Sequence, residues 1–265
     1  MRSPRLFPSL HRTKRVTWLE SNSTSMAVWP RSNEEKTLSL KAELDAFRSA
    51  FMAQVPPEIR EAMVRADMEL ASSGIAQRAL KTGDRAPDFN LPDACGGYVR
   101  LKDLLATGPV VLSFYRGGWC PYCNLELRAL QQALPEITRL GAKLVAVSPQ
   151  TPDESLSTTE KNALSFSVLS DIGSTTAKTF GIAYDLAEEL RPIYARSGHA
   201  LPEKNGDESW VLPIPATYLI NTDGTVALAF VDVDYRKRLE PAEILTALQS
   251  LSRQQRGEHR ANASR

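Results

Sequence analysis

The chain has 265 residues, 42% hydrophobic and 24% charged. This is the balance of a soluble globular protein, too apolar for wholesale disorder, and its length suits one full domain with extensions or two small ones. The net charge of +1 argues against a general nucleic-acid binder, and no apolar run reaches the roughly 18 residues that a membrane-spanning helix needs.

The charge is unevenly placed. Residues 1–31 carry six basic side chains against Glu20 alone, a net +5; residues 252–265 carry four arginines against Glu258, a net +3, which leaves an acidic body of −7. Three cysteines, Cys95, Cys120 and Cys123, are too few for a disulfide scaffold. With only His11, His199 and His259 besides, a structural zinc site lacks its second pair of ligands. Cysteine use therefore points to redox or nucleophilic chemistry in a reducing, cytoplasmic compartment, with no metal.

Residues 1–36 lack a periodic apolar face and are rich in Ser, Pro and Arg. They read as a disordered basic tail, with Met26 an alternative start, or as a transit-type presequence. Residues 37–81 read as a helical hairpin. Leu40, Leu44, Phe47 and Phe51 share one helix face behind the N-cap candidate Ser39. Pro56 and Pro57 restart the chain, Ile59, Met63, Ala66 and Leu70 repeat the spacing, and Gly74 fits a helix stop.

Residues 82–251 alternate strands and helices, and 252–265 form a basic tail. The apolar run Val110–Tyr115 suits a strand buried on both faces. A helix follows with Leu127, Leu130, Leu134 and Ile137 on one side, and Pro135 is expected to kink it. Strands are expected at Leu144–Val147, Ser165–Leu169, Thr217–Ile220 and Val226–Val231, the last two joined at Asp223-Gly224, with a closing helix over Glu240–Leu251. Residues 185–209 read as a polar insertion with a short helix. The order gives an α/β fold with a mixed central sheet flanked by helices.

The chemistry concentrates in Tyr115-Arg116-Gly117-Gly118-Trp119-Cys120-Pro121-Tyr122-Cys123-Asn124-Leu125-Glu126. A strand ends, two glycines turn the chain, and a helix begins at the cysteine pair. A helix N-terminus carries unpaired N–H groups and about half a positive charge, which stabilises a thiolate. Two intervening residues keep the thiols within one turn, so one can attack and the other resolve. The same spacing is half of a zinc site, but no second pair accompanies it. Cys95 lies in an Asp-Ala-Cys-Gly-Gly turn and reads as an incidental surface thiol or a distant resolving cysteine.

These residues carry a resemblance. Gly83-Asp84-Arg85-Ala86-Pro87-Asp88-Phe89, the strand ending Phe114-Tyr115, the cysteine-bearing helix and Tyr218-Leu219-Ile220-Asn221-Thr222-Asp223-Gly224 resemble, in order, the landmarks of the peroxiredoxin (AhpC/TSA) branch of the thioredoxin fold. The resemblance implies a peroxide-attacking thiol at Cys123, counted from Arg116 in the slot of the family's motif proline, with Glu126 as the acidic residue three positions on. It departs where Cys120 replaces the motif's Thr/Ser and Pro215 replaces an arginine before the late strand. Trp119-Cys120-x-x-Cys123 and a proline before a late strand are instead similar to thioredoxins, which implies a cis bond at Pro215 facing the dithiol.

The implied activity is a thioredoxin-dependent peroxidase. Cys123 attacks a hydroperoxide, Cys120 resolves, and thioredoxin or glutathione restores the pair. No cofactor, membrane or nucleic acid is implied, and a homodimer is left open. Thioredoxins attack with the first cysteine, so that template assigns the nucleophile to Cys120 instead. Trp119 reads as a wall over the disulfide, Tyr115 as core, Arg116 as a solvated loop residue or a replacement cation, and Glu126 as a favourable first-turn acid or a catalytic one. The rival functions are a thioredoxin-like disulfide reductase with little peroxidase activity and a redox-switched interaction protein.

Overall fold

The computed structural model describes residues 39–263, with side chains as far as Gln254. The expectations for residues 1–36 lie outside the described residues. Helix α1 (Leu40–Gln54) starts at Ser39, whose hydroxyl accepts the Ala42 N–H at 3.3 Å. Helix α2 (Pro57–Ser72) starts on a proline whose fixed φ suits the first helical position. It stops before Gly74, which takes the left-handed φ of 74° expected of a helix stop. A short α3 (Ile75–Arg78) follows.

The two long helices do not pack as a pair. Leu40, Leu44 and Phe47 of α1 join the cluster formed with Leu127 and Leu130, whereas Ala62, Met63 and Ala66 of α2 pack with Leu186, Leu190 and Leu201. Each apolar stripe is covered by a different part of the body, so the segment clamps the fold rather than forming a free-standing hairpin.

Strands β1 (Asn90–Pro92) and β2 (Tyr98–Arg100) form an antiparallel hairpin around the Cys95 turn, followed by α4 (Leu101–Leu105). The central unit is β3 (Val110–Phe114), α5 (Pro121–Arg139), β4 (Lys143–Ser148), α6 (Pro152–Lys161) and β5 (Ser167–Ser170). Helix α7 (Thr175–Thr179) leads to β6 (Ala183–Asp185), which pairs across the insertion with β7 (Val211–Pro213). The insertion itself carries α8 (Arg191–Arg196) and α9 (Leu201–Asn205). Strands β8 (Ala216–Ile220) and β9 (Val226–Val231) and helix α10 (Pro241–Ala263) complete the chain.

The main sheet has the order β5-β4-β3-β8-β9, with β3, β4 and β5 parallel and β8 and β9 antiparallel. This is the mixed, helix-flanked sheet of a thioredoxin-like fold. Side chains of β3 alternate between two cores: Val111 joins the side of α5 and α10, while Val110, Leu112 and Phe114 join the other. Both faces are apolar, which is why this strand reads as a continuous run.

Three local expectations are corrected or extended. Among the described residues there is no cis peptide bond, so the Ile214–Pro215 bond is trans. Ile214 N–H donates to Ile182 beside β6, and Ala216 pairs at once with Phe114 on β3. The chain thus passes directly from one pairing to the next in extended form, as a residue before proline prefers, and the cis-proline likeness to thioredoxins does not hold. Helix α5 continues through Pro135 to Arg139. Helix α10 runs past Leu251 to Ala263, because the residues beyond include the good helix formers Arg and Gln. No helix among the described residues is long and apolar enough to cross a membrane.

The Phe47 ring meets Tyr122 edge-on with centroids 5.0 Å apart. Phe47→Asp would place a carboxylate in this contact and is expected to cost about 2–4 kcal/mol of stability, read as a lower urea midpoint. An unchanged midpoint would show that α1 contributes nothing to the core.

Candidate active site

The turn between β3 and α5 is pinned before the cysteines begin. Gly117 has φ 148°, and a Cβ there would lie 2.3 Å from Trp119 Nε1. A Cβ on Gly118 would lie 2.1 Å from Thr158 Oγ1. Close approach therefore requires both glycines, and conformation requires Gly117 as well. Gly118 N–H donates to Gln150 Oε1 at 2.7 Å, and its carbonyl accepts Asn124 Nδ2 at 2.8 Å. Asn124 Oδ1 in turn accepts Asn162 Nδ2 at 2.9 Å.

Cys120 sits at the N-cap of α5 and Cys123 three residues later, in the first turn. Both are free thiols and both are buried, at 2% and 0% exposure. The neighbouring Cys123 thiol favours the charged form of Cys120 by hydrogen bonding to it. That hydrogen bond, with the Arg116 and Arg238 charges, outweighs burial and lowers Cys120 to about 6. Burial and the adjacent Cys120 charge push Cys123 up. The environment thus favours a negative charge on Cys120, at the positive end of the helix, over one on Cys123.

Two guanidinium groups flank this charge. Arg238 Nη2 lies 3.3 Å from Cys123 Sγ, its Nε pairs with Glu126 Oε2, and its Nη1 donates to the carbonyls of Tyr235 and Lys237. The Arg238–Glu126 pair is fully buried, with side-chain exposures of 1% and 2%. Burial pushes Glu126 up to about 7 against the opposing pull of Arg238. The other Glu126 oxygen lies 3.5 Å from the Ser113 and Thr217 hydroxyls.

Arg116 is not a solvated loop residue. It is 2% exposed, donates to Tyr194 OH at 2.6 Å, and lies against the rings of Tyr235, Trp119 and Tyr194 at 4.3, 5.1 and 5.7 Å. A backbone designed for a loop arginine would leave it in water; here the insertion folds over it through Tyr194 on α8. Trp119 is half-buried, meets Tyr194 edge-on and stacks on His199 of the insertion. Tyr115 is core, its hydroxyl is buried without a hydrogen-bond partner, and burial pushes it up to about 12. Pro215 is buried at the start of β8. Cys95 is exposed in its hairpin turn.

The structure thus brings Arg116, Trp119, Cys120, Cys123 and Glu126 together. It adds Arg238, Tyr235, Tyr194 and His199, which sequence reasoning missed. Arg238 follows Arg236 and Lys237, and such a basic run reads as a solvated face. Only its neighbour Tyr235, apolar enough to be buried beside a charge run, hinted that the segment turns inward.

Comparison with known proteins gives the family of the chain. The AhpC/TSA family profile matches residues 82–229. The chain is 34% identical over 114 residues to a putative peroxiredoxin of Mycobacterium tuberculosis, covering 43% of this chain and 74% of that one. It is 32% identical over 103 residues to the peroxiredoxin Bcp of Escherichia coli K12, covering 39% and 65%. Among solved structures, peroxidoxin BcpB from Mycobacterium tuberculosis aligns with a TM-score of 0.52 at 26% identity, over 65% of this chain and 98% of that one. A match over more than half of the chain, joined to the fold and the thiol-bearing helix, establishes that the chain belongs to the AhpC/TSA family.

Proposed function

We propose that the protein is a thiol-dependent peroxidase that reduces hydroperoxides through a Cys120–Cys123 dithiol/disulfide cycle. The observation that carries the reading is the Arg238 guanidinium at 3.3 Å from Cys123 Sγ. Attack on an O–O bond develops negative charge on the departing oxygen, and a buried, preorganised cation beside the attacking sulfur stabilises it. Arg238 supplies from the loop after β9 the charge that the family's arginine would supply from the slot of Pro215.

Cys120 accepts the Cys123 proton, and the Cys123 thiolate attacks the terminal peroxide oxygen. The S–O bond forms as the O–O bond breaks, sulfur is oxidised to a sulfenic acid, and the leaving alkoxide or hydroxide takes the proton from Cys120. The Cys120 thiolate then displaces hydroxide from Cys123, the hydroxide takes a proton from solvent and leaves as water, and the disulfide forms. An external dithiol, thioredoxin, or two molecules of glutathione return the two electrons. Glu126 positions Arg238, and Arg116 and the helix N-terminus hold the charge of Cys120.

A second reading rests on the lowered Cys120: this thiolate attacks directly and Cys123 resolves, as the thioredoxin template implies. Single variants separate the two. Cys120→Ser is expected to consume one equivalent of peroxide and stop at a trappable sulfenic acid on Cys123, whereas Cys123→Ser reacts no faster than an ordinary thiol. Sulfenic acid on Cys120 in Cys123→Ser, formed at the wild-type rate, would reverse the assignment.

Arg238→Lys keeps the charge but cannot hold Glu126, Cys123 and two carbonyls at once. First-turnover peroxide reduction should fall about 10²-fold, and a rate within a factor of about two of wild type would remove Arg238 from the mechanism.

The pH dependence follows from the dithiol. Its thiolate appears as pH rises through about 6, so iodoacetamide alkylation of the reduced pair, extrapolated for slow access to the buried site, should rise through that pH and flatten above it. Arg116→Met removes one of the cations holding the charge and should move the midpoint upward. A midpoint near 9 in the wild type would contradict a stabilised thiolate.

A further inference from the structure

A buried charge is normally paired, because an unpaired one costs several kcal/mol. Arg238 has Glu126. Arg116, at 2% exposure, has no carboxylate partner among the described residues. Its one side-chain hydrogen bond is to the Tyr194 hydroxyl, and its Nε–H is buried without an acceptor. Tyr184 and Tyr235 face it, but burial pushes both phenols up, Tyr184 to about 12, so neither supplies an anion. Of the groups whose charge acts on Arg116, Tyr184 and Tyr194 first and then Cys120, it is the Cys120 thiol that is lowered.

That compensation depends on redox state. When Cys120 and Cys123 join as a disulfide, the thiolate disappears while Arg116 stays where the aromatic rings hold it. Arg116 also lines a cavity of about 320 Å³ between α2, β6 and the insertion. The walls include Leu70, Ile75, Leu186 and Leu190, with Tyr194 and Tyr235 beside the guanidinium. The volume falls within the range of small-molecule sites, and of the charged side chains on its lining, Asp67, Glu69, Arg78, Arg116 and Asp185, Arg116 is the buried one. Of the three acids at the cavity, Asp67 is already paired with Arg236 at 2.6 Å, and Glu69 and Asp185 are exposed and form no ion pair with Arg116.

We infer that this cavity binds a small organic carboxylate on Arg116, and that it does so more tightly when Cys120 and Cys123 form a disulfide than when they are reduced. The apolar body of the ligand lies against the leucine and isoleucine side chains, and its carboxylate replaces the lost thiolate as the counter-charge and the missing acceptor for Nε–H. By linkage, the same ligand stabilises the oxidised state over the reduced one by the ratio of its two affinities. The redox dependence rests on the dithiol cycle proposed above; the site itself does not.

Benzoate is a suitable probe, and calorimetric titration of the full chain at constant ionic strength is the test. The protein is used reduced, and also after oxidation with one equivalent of diamide, which takes two hydrogens from the thiols and is checked by mass. Benzoate is expected to bind the oxidised form at least about tenfold more tightly than the reduced form. Reduced Cys120→Ser, which lacks the thiolate without a disulfide, should bind like the oxidised wild type. Arg116→Met should abolish binding. Ala187→Phe, which narrows the cavity from its wall and spares the buried cation, should weaken binding in a chain whose circular dichroism is unchanged. Neutral benzamide should show no preference between redox states.

Equal benzoate affinity in the two redox states with a verified disulfide would overturn the proposal. So would undiminished binding to Arg116→Met, or no binding to any form up to about 10 mM. Failure of the Cys120–Cys123 disulfide to form would instead count against the dithiol cycle, and the comparison of Cys120→Ser with the reduced wild type would still decide whether Arg116 takes the anion.

Discussion

The site depends on one constraint: two thiols and two guanidinium groups share a space from which water is largely excluded. Removing a charge from water is expensive, and each charge here is tolerated because another lies beside it. Arg238 is held by Glu126 and two backbone carbonyls and lies against Cys123. Arg116 is held by aromatic faces and one hydroxyl and acts on Cys120. The two arginines thus differ: one has a buried carboxylate partner, and the other has none among the described residues.

The remaining architecture serves that arrangement. Strand β3, at the centre of the sheet, delivers the chain to the site, Gly117 and Gly118 allow the turn, and α5 presents its N-terminus to the sulfurs. The insertion covers Arg116 through Tyr194 and Trp119 through His199. Helix α1 closes the other side, where Phe47 meets Tyr122 and Tyr122 meets Tyr235. An aromatic chain thus runs from the N-terminal helix past the Tyr235 ring to Arg116, and burial of the dithiol is a property of three separate segments rather than of the central domain alone.

Much of this was legible in the sequence. The strands at Val110 and Leu144, the Asp223-Gly224 hairpin and the cysteine-bearing helix follow from apolar runs and turn residues with strong local preferences. The placement of the Cys-x-x-Cys pair at a helix start was legible from the strand, the two glycines and the proline around it. What was hidden was tertiary. The separate docking of α1 and α2 depends on which surfaces happen to receive two similar stripes. The burial of Arg116 depends on an insertion some 70 residues away in sequence, as its bond to Tyr194 shows. Arg238 looked like the end of a solvated basic run. Pro215 carried a real signal, since it stands buried at a strand start, but the choice between cis and trans was made by the pairing of β7 and β8 with their neighbours.

The central claim is that Cys120 and Cys123 act together as one redox centre. The most direct test is an anaerobic reaction of the reduced wild-type chain with one equivalent of hydroperoxide, followed by peptide mass mapping of all three cysteines. The account predicts loss of two hydrogens from the peptide containing Cys120 and Cys123, with Cys95 still a free thiol. Oxidation confined to Cys95, or peroxide left unconsumed with the pair intact, would contradict it.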